Sequence, residues 1–128
     1  MIESIVLAAG LSSRMGEENK LLLPFQGKAI LQHTIDALLA AKIDRVIVVT
    51  GHEQEKICSL LIDREIKFVH NEQYQEGQLT SIQKGLSQLS TSCTAFFICL
   101  SDMPLLTNID YNALLDTYNT TSISEPIV

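Results

Sequence analysis

The stretch Ile5-Val6-Leu7-Ala8-Ala9-Gly10-Leu11-Ser12-Ser13-Arg14-Met15-Gly16 decides how the rest of the chain is read. Ile5 to Ala9 is a short apolar run, of a length suited to a strand buried on both faces, and it ends at a glycine. Runs of the same kind recur at Arg45–Thr50, Lys67–His70 and Ala95–Leu100. Between them the apolar residues take helical spacing. Leu31, Ile35 and Leu38 fall on one face, as do Leu79, Ile82, Leu86 and Leu89, while Ile57, Leu60 and Leu61 do so within a helix expected near Glu53–Ile62. A further helix is expected near Asn108–Tyr118. Strands alternating with amphipathic helices imply an α/β fold with a doubly wound, mainly parallel sheet and helices on both faces. Ligands in such sheets bind beyond the carboxyl ends of the strands, which is where the glycine loop stands.

That loop has the chemistry of a phosphate cradle. Gly10, Gly16 and the small residues between them allow backbone N–H groups to approach a phosphate chain, Ser12 and Ser13 add hydroxyls, and Arg14 with the downstream Lys20 brings positive charge. Five residues separate Gly10 from Gly16 where a P-loop has four, and Glu17 stands in place of its lysine; no G-x-G-x-x-G is present either. The competing reading is a solvent-exposed connection with incidental Gly and Ser, and the placement of the basic residues favours function over it.

Composition narrows the partners. The 128 residues fit one domain, with 46% hydrophobic and 19% charged residues spread along the chain. A formal net charge of -6 with no basic run disfavours nucleic acid. A small nucleotide is compatible, because a few placed cations and a divalent metal neutralise a triphosphate locally. No apolar stretch suggests a membrane span. Cys58, Cys93 and Cys99 show no zinc spacing and read as reduced structural thiols. The start of the chain lacks the features of a signal peptide, so a cytoplasmic protein is expected. His33, His52 and His70 share no metal spacing, and Glu53, Glu55 and Lys56 read as a solvated helix start.

Two further segments carry chemistry. In Phe96-Phe97-Ile98-Cys99-Leu100-Ser101-Asp102-Met103-Pro104 a carboxylate follows a strand at its carboxyl end. Mg²⁺ favours one or two carboxylates with phosphate oxygens and water, which Asp102 and a bound triphosphate would supply; the alternative is an Asp capping the turn before Pro104. The segment Asn71 to Ser81 leads from a strand into a helix, with Gly85 later in that helix allowing close packing. A helix N-cap by Thr80 or a neighbour of Gln78 is the competing reading there.

The run LAAGLSSRMG with Lys20-Leu21-Leu22-Leu23-Pro24 resembles the signature of the MobA-like nucleotidyltransferases, and in particular their molybdenum cofactor cytidylyltransferase branch. The resemblance implies a loop wrapped around a nucleoside triphosphate, with Leu7, Ala8, Ala9, Gly10, Ser12 and Ser13 in the loop and Arg14 and Lys20 at the phosphates. It also implies that Asp102, with Ser101 beside it, holds the metal, and that Asn71, Gly77 and Ser81 form the connection that recognises the base. Relatives transferring guanylyl groups typically read LAGG, so Ala9 points to CTP. The implied reaction is in-line attack by a phosphate of molybdopterin on the α-phosphorus of CTP, with release of pyrophosphate. An anionic phosphate nucleophile needs no general base, which leaves alignment and charge neutralisation by Mg²⁺, Arg14 and Lys20 as the catalytic work. Guanylyl transfer, transfer to a sugar phosphate or another acceptor by a related fold, and a non-catalytic maturation factor for a molybdoenzyme are the alternatives. Ser124 to Val128 reads as a strand that starts and stops, so residues 1–128 are expected to be a MobA-like domain lacking its carboxyl-terminal part.

Overall fold

The computed structural model describes residues 2–9, 20–100 and 108–121. Among these, a four-stranded sheet is built from β1 (Ile2–Ala8), β4 (Arg45–Thr50), β5 (Lys67–His70) and β6 (Ala95–Leu100), in the order β5-β4-β1-β6 with every pairing parallel. A small antiparallel hairpin, β2 (Pro24–Phe25) and β3 (Lys28–Ala29), precedes the first helix. Gln26 and Gly27 at its tip have φ of 48° and 87°, the backbone that lets a two-residue turn follow the twist of its strands. The helices are α1 (Ile30–Ala40), α2 (Gln54–Leu60), α3 (Gln78–Leu86) and α4 (Asn108–Thr121). No described helix is long and apolar enough to cross a membrane.

Strand order explains where the helices go. The chain steps outward from β1 to β4 to β5, then returns across the sheet to β6 on the other side of β1. Right-handed crossovers in opposite directions must use opposite faces. Accordingly α1, α2 and α4 pack over Val6, Ala8, Val46, Val48, Phe97 and Cys99, whereas the residues after β5 cover Ile5, Leu7, Ala9 and Val49. Both faces of β1 are therefore buried, as the continuous apolar run requires.

The apolar face of α3 differs from expectation. Ser81 and Gly85 are its buried residues, Ile82 is partly buried, and Leu79 and Leu86 are 64% and 37% exposed. A Cβ on Gly85 would lie 2.5 Å from Ile5 Cγ2 and 3.3 Å from Val49 Cγ2. The helix lies so close to the sheet that only small residues fit between them, and the larger leucines turn outward. Gly85→Ala is expected to destabilise the fold by about 2 kcal/mol through overpacking; an unchanged urea midpoint would show that α3 shifts freely on the sheet.

β1 also starts earlier than its apolar run, because Glu3 and Ser4 are strand residues with no exposed surface. Glu3 Oε1 accepts from Arg45 Nη1 at 2.8 Å and Oε2 from the Ser90 amide at 3.0 Å, and Arg45 Nη1 also donates to the Gln88 carbonyl at 3.0 Å. This network joins two central strands to the segment that leaves α3. Cys58, Cys93 and Cys99 are free thiols. Burial raises each of them, Cys99 to about 12, which keeps them protonated and unreactive at neutral pH.

Candidate nucleotide site

The carboxyl ends of β1, β4 and β5 form one rim. The His52 amide donates to the Ala9 carbonyl at 3.2 Å and the Asn71 amide to the Thr50 carbonyl at 2.7 Å, so the ladders continue past the strand ends and the loops leave together. The direction of winding reverses between β1 and β6, and a crevice at that switch is the usual ligand site of such a sheet.

A cavity of about 430 Å³ opens at this rim, on the face covered by α3. Its lining is Leu7 and Ala9 from the end of β1, Tyr74 and Gln75 from a 3-10 turn, and Gly77, Gln78 and Ser81 from the entry to α3. None of these side chains carries a formal charge. They offer a phenol, two primary amides and a hydroxyl among apolar and small surfaces, which suits an uncharged, flat, hydrogen-bonding group and not a phosphate. Gly77 stands at φ 119° and ψ 164° as the N-cap of α3, a backbone that side-chain-bearing residues rarely adopt. Of the competing N-cap candidates, Thr80 lies inside the helix and the cap falls on Gly77, the neighbour of Gln78, with no side-chain cap hydrogen bond.

Four of the residues expected to contact a nucleotide, Leu7, Ala9, Gly77 and Ser81, are thus brought together at one cavity. Ala8 points to the opposite face, into the core under α1 and α2. Asn71 is 3% exposed and stands behind the loop. Its Nδ2 donates to Thr80 Oγ1 at 3.0 Å and Ser81 Oγ at 2.9 Å, and its Oδ1 accepts from the Gln73 amide at 3.0 Å. Every polar atom of that side chain is engaged in holding the loop's two ends together. Lys20 begins a 3-10 turn, Lys20–Leu22. Gly10, Ser12, Ser13, Arg14, Ser101 and Asp102 lie outside the described residues.

Tyr74, Gln75 and Gln78 were not anticipated; the one available signal was an aromatic residue set in the polar stretch between Asn71 and Gly77. The helix start at Glu53, Glu55 and Lys56 was read as solvated, yet Glu53 is mostly covered at 16% side-chain exposure and has a left-handed backbone at φ 56°. Its carboxylate meets Lys56 Nζ at 2.7 Å and His52 Nε2 at 3.3 Å. The hydrogen bond and charge of Lys56, helped by His52, outweigh the raising effect of burial and hold the Glu53 carboxyl below its ordinary value. Among the described residues no group of three or more His, Cys, Asp and Glu side chains is placed to hold a metal.

A doubly wound parallel sheet with a neutral cavity at the carboxyl end of β1 defines an α/β protein of the doubly wound class. The family follows from comparison: residues 4–125 match the model of the MobA-like NTP transferase domain, and the chain belongs to that family. It is 36% identical over 107 residues to the molybdenum cofactor cytidylyltransferase of Escherichia coli, an alignment covering 83% of this chain and 54% of that protein. It is 34% identical over 121 residues to a probable molybdenum cofactor guanylyltransferase of Methanosarcina acetivorans, covering 91% of this chain and 52% of the relative. The chain therefore spans about half the length of these curated relatives. A solved nucleotidyl transferase from Methanothermobacter superposes with a TM-score of 0.80 at 26% identity, over 91% of this chain and 57% of that one. The doubly wound, mainly parallel α/β sheet with helices on both faces expected from the sequence is the architecture found, that of the nucleotide-diphospho-sugar transferases.

Proposed function

We propose that this chain is the nucleotide-binding part of a cytoplasmic, Mg²⁺-dependent nucleotidyltransferase that transfers CMP from CTP to a phosphate of molybdopterin and releases pyrophosphate. The observation that carries the reading is the neutral cavity of about 430 Å³ at the carboxyl end of β1, directly beside the position where the glycine loop departs. The base and sugar occupy this cavity, lined by Ala9, Gly77 and Ser81. The triphosphate runs along the loop of Gly10, Ser12 and Ser13, toward Arg14 and Lys20. Asp102, beside Ser101, would hold Mg²⁺, which would supply charge neutralisation for in-line displacement. The residues of this chain bind and align, and the acceptor phosphate is itself the nucleophile.

The relative of Methanosarcina acetivorans favours a second reading, guanylyl transfer. Titration with CTP and with GTP in the presence of Mg²⁺ separates the two, and CTP is expected to bind more tightly because the Ala9 methyl narrows the space left for a purine. Arg14→Ala and Lys20→Ala are each expected to weaken CTP binding by about tenfold or more through loss of a charge-assisted contact to phosphate, with the melting temperature unchanged. Wild-type affinity in both variants by calorimetry would remove the assignment.

A further inference from the structure

We propose that Tyr74 is a specificity-determining residue whose ring sets the size of base the cavity accepts, and that Gly51 fixes the position of that ring from behind. The inference rests on the nucleotide reading of this cavity given above. Tyr74 opens the 3-10 turn Tyr74–Glu76 and is the largest side chain in the lining. It packs onto the same core cluster as Leu7 and Ala9, so its ring continues the sheet surface outward past the end of β1. Gly51 lies against its root. A Cβ there would fall 2.6 Å from Tyr74 Cβ, 2.7 Å from Tyr74 Cγ and 2.8 Å from Ala9 Cβ, separations that real atoms do not sustain. The His52 ring, tilted 45° with its centroid 6.2 Å away, neighbours the tyrosine. Gly77, at the end of the turn, carries no side chain to compete for the same space.

Two substitutions should therefore act in opposite directions. Removing the ring enlarges the cavity and relieves the larger base first. Adding a methyl at Gly51 displaces Tyr74 and Ala9, both of which line the cavity, and penalises the larger base first. Small changes of volume in a fitted pocket shift discrimination by about 10- to 200-fold.

The test is the ratio of CTP to GTP dissociation constants, measured by calorimetry with Mg²⁺ on the full chain. Tyr74→Ala is expected to move the ratio at least about tenfold toward GTP, Tyr74→Leu to move it part of the way, and Gly51→Ala to move it toward CTP. Tyr74→Phe keeps the ring and should leave the ratio unchanged. Tyr74→Leu retains apolar cover over Leu7 and gives the answer should Tyr74→Ala fail to fold. A purely structural role for Tyr74 would lower melting temperatures with the ratio constant across the series, and that result overturns the proposal, as does a shift in the same direction for Gly51→Ala and Tyr74→Leu. Absence of nucleotide binding by the wild type would instead overturn the reading on which it rests.

Discussion

Asn71→Ala is expected to lower stability by about 3 kcal/mol and to weaken CTP binding by about tenfold, although the side chain stands behind the cavity and not in it. The substitution removes three hydrogen bonds at a position only 3% exposed and leaves the Gln73 amide without its acceptor. These bonds tie the beginning of the loop to Thr80 and Ser81 in the first turns of α3, across the segment that carries Tyr74, Gln75 and Gly77. Without them the cavity wall is free to move, and a ligand must restore its order at the expense of affinity. Asn71→Asp keeps the acceptor for Gln73 and faces hydroxyls able to turn and donate, so it should be milder. Urea unfolding and calorimetric titration check both effects. A destabilised Asn71→Ala protein that binds CTP with wild-type affinity would place the nucleotide elsewhere.

At the opposite end of the sheet, Glu3→Gln is expected to cost about 3 kcal/mol near neutral pH, within the range for breaking a buried charge pair. Burial by itself raises the Glu3 carboxyl, but the Ser90 amide, the Cys93 thiol and the Arg45 guanidinium together outweigh it and hold the group below its ordinary value of 4.5. A carboxyl lowered in the folded state contributes stability that is fully present above its ordinary value and lost as pH falls through that value toward the folded one. The difference between wild type and Glu3→Gln should accordingly be largest at neutral pH and shrink below about pH 4.5. A difference independent of pH would mean that shape, and not charge, is what Glu3 contributes.

These two residues mark where sequence reading succeeds and stops. β4, β5 and β6 begin and end where their apolar runs do, because burial on both faces leaves a continuous signature. β1 was read from Ile5, since a carboxylate and a hydroxyl at Glu3 and Ser4 interrupt that signature; the distant Arg45, Ser90 and Cys93 make the carboxylate tolerable in a strand. The leucines of α3 have helical spacing and still do not define its buried face. Gly85 does, by admitting a closer approach than any leucine allows. The two-residue strands β2 and β3 are too short to show a period. Ala9, Gly77 and Ser81, named from the family-like pattern, line one cavity. Asn71 was expected among the contacts to the base, but its amide is consumed within the protein, a fact that depends on where Thr80 and Ser81 stand in space. Tyr74 and Gly51 meet only after β4 and the turn are assembled, and no local pattern announces that contact.

The position of β1 in the sheet order has a consequence for how the molecule is made. Its first partner, β4, pairs Glu3 with Arg45, whereas β6 pairs Ile2 with Ala95. Closing the longer loop costs more chain entropy and delays the contacts that offset it. As the polypeptide emerges, β1, β4 and β5 are available to one another well before β6. The reversal of winding lies between β1 and β6, so its two sides belong to the earliest and latest strands of the described sheet. Until β6 arrives, one edge of β1, a central strand with an apolar run from Ile5 to Ala8, stays open to pairing with another chain. The switch point is thus also the stage of assembly at which the protein is most exposed to misassociation.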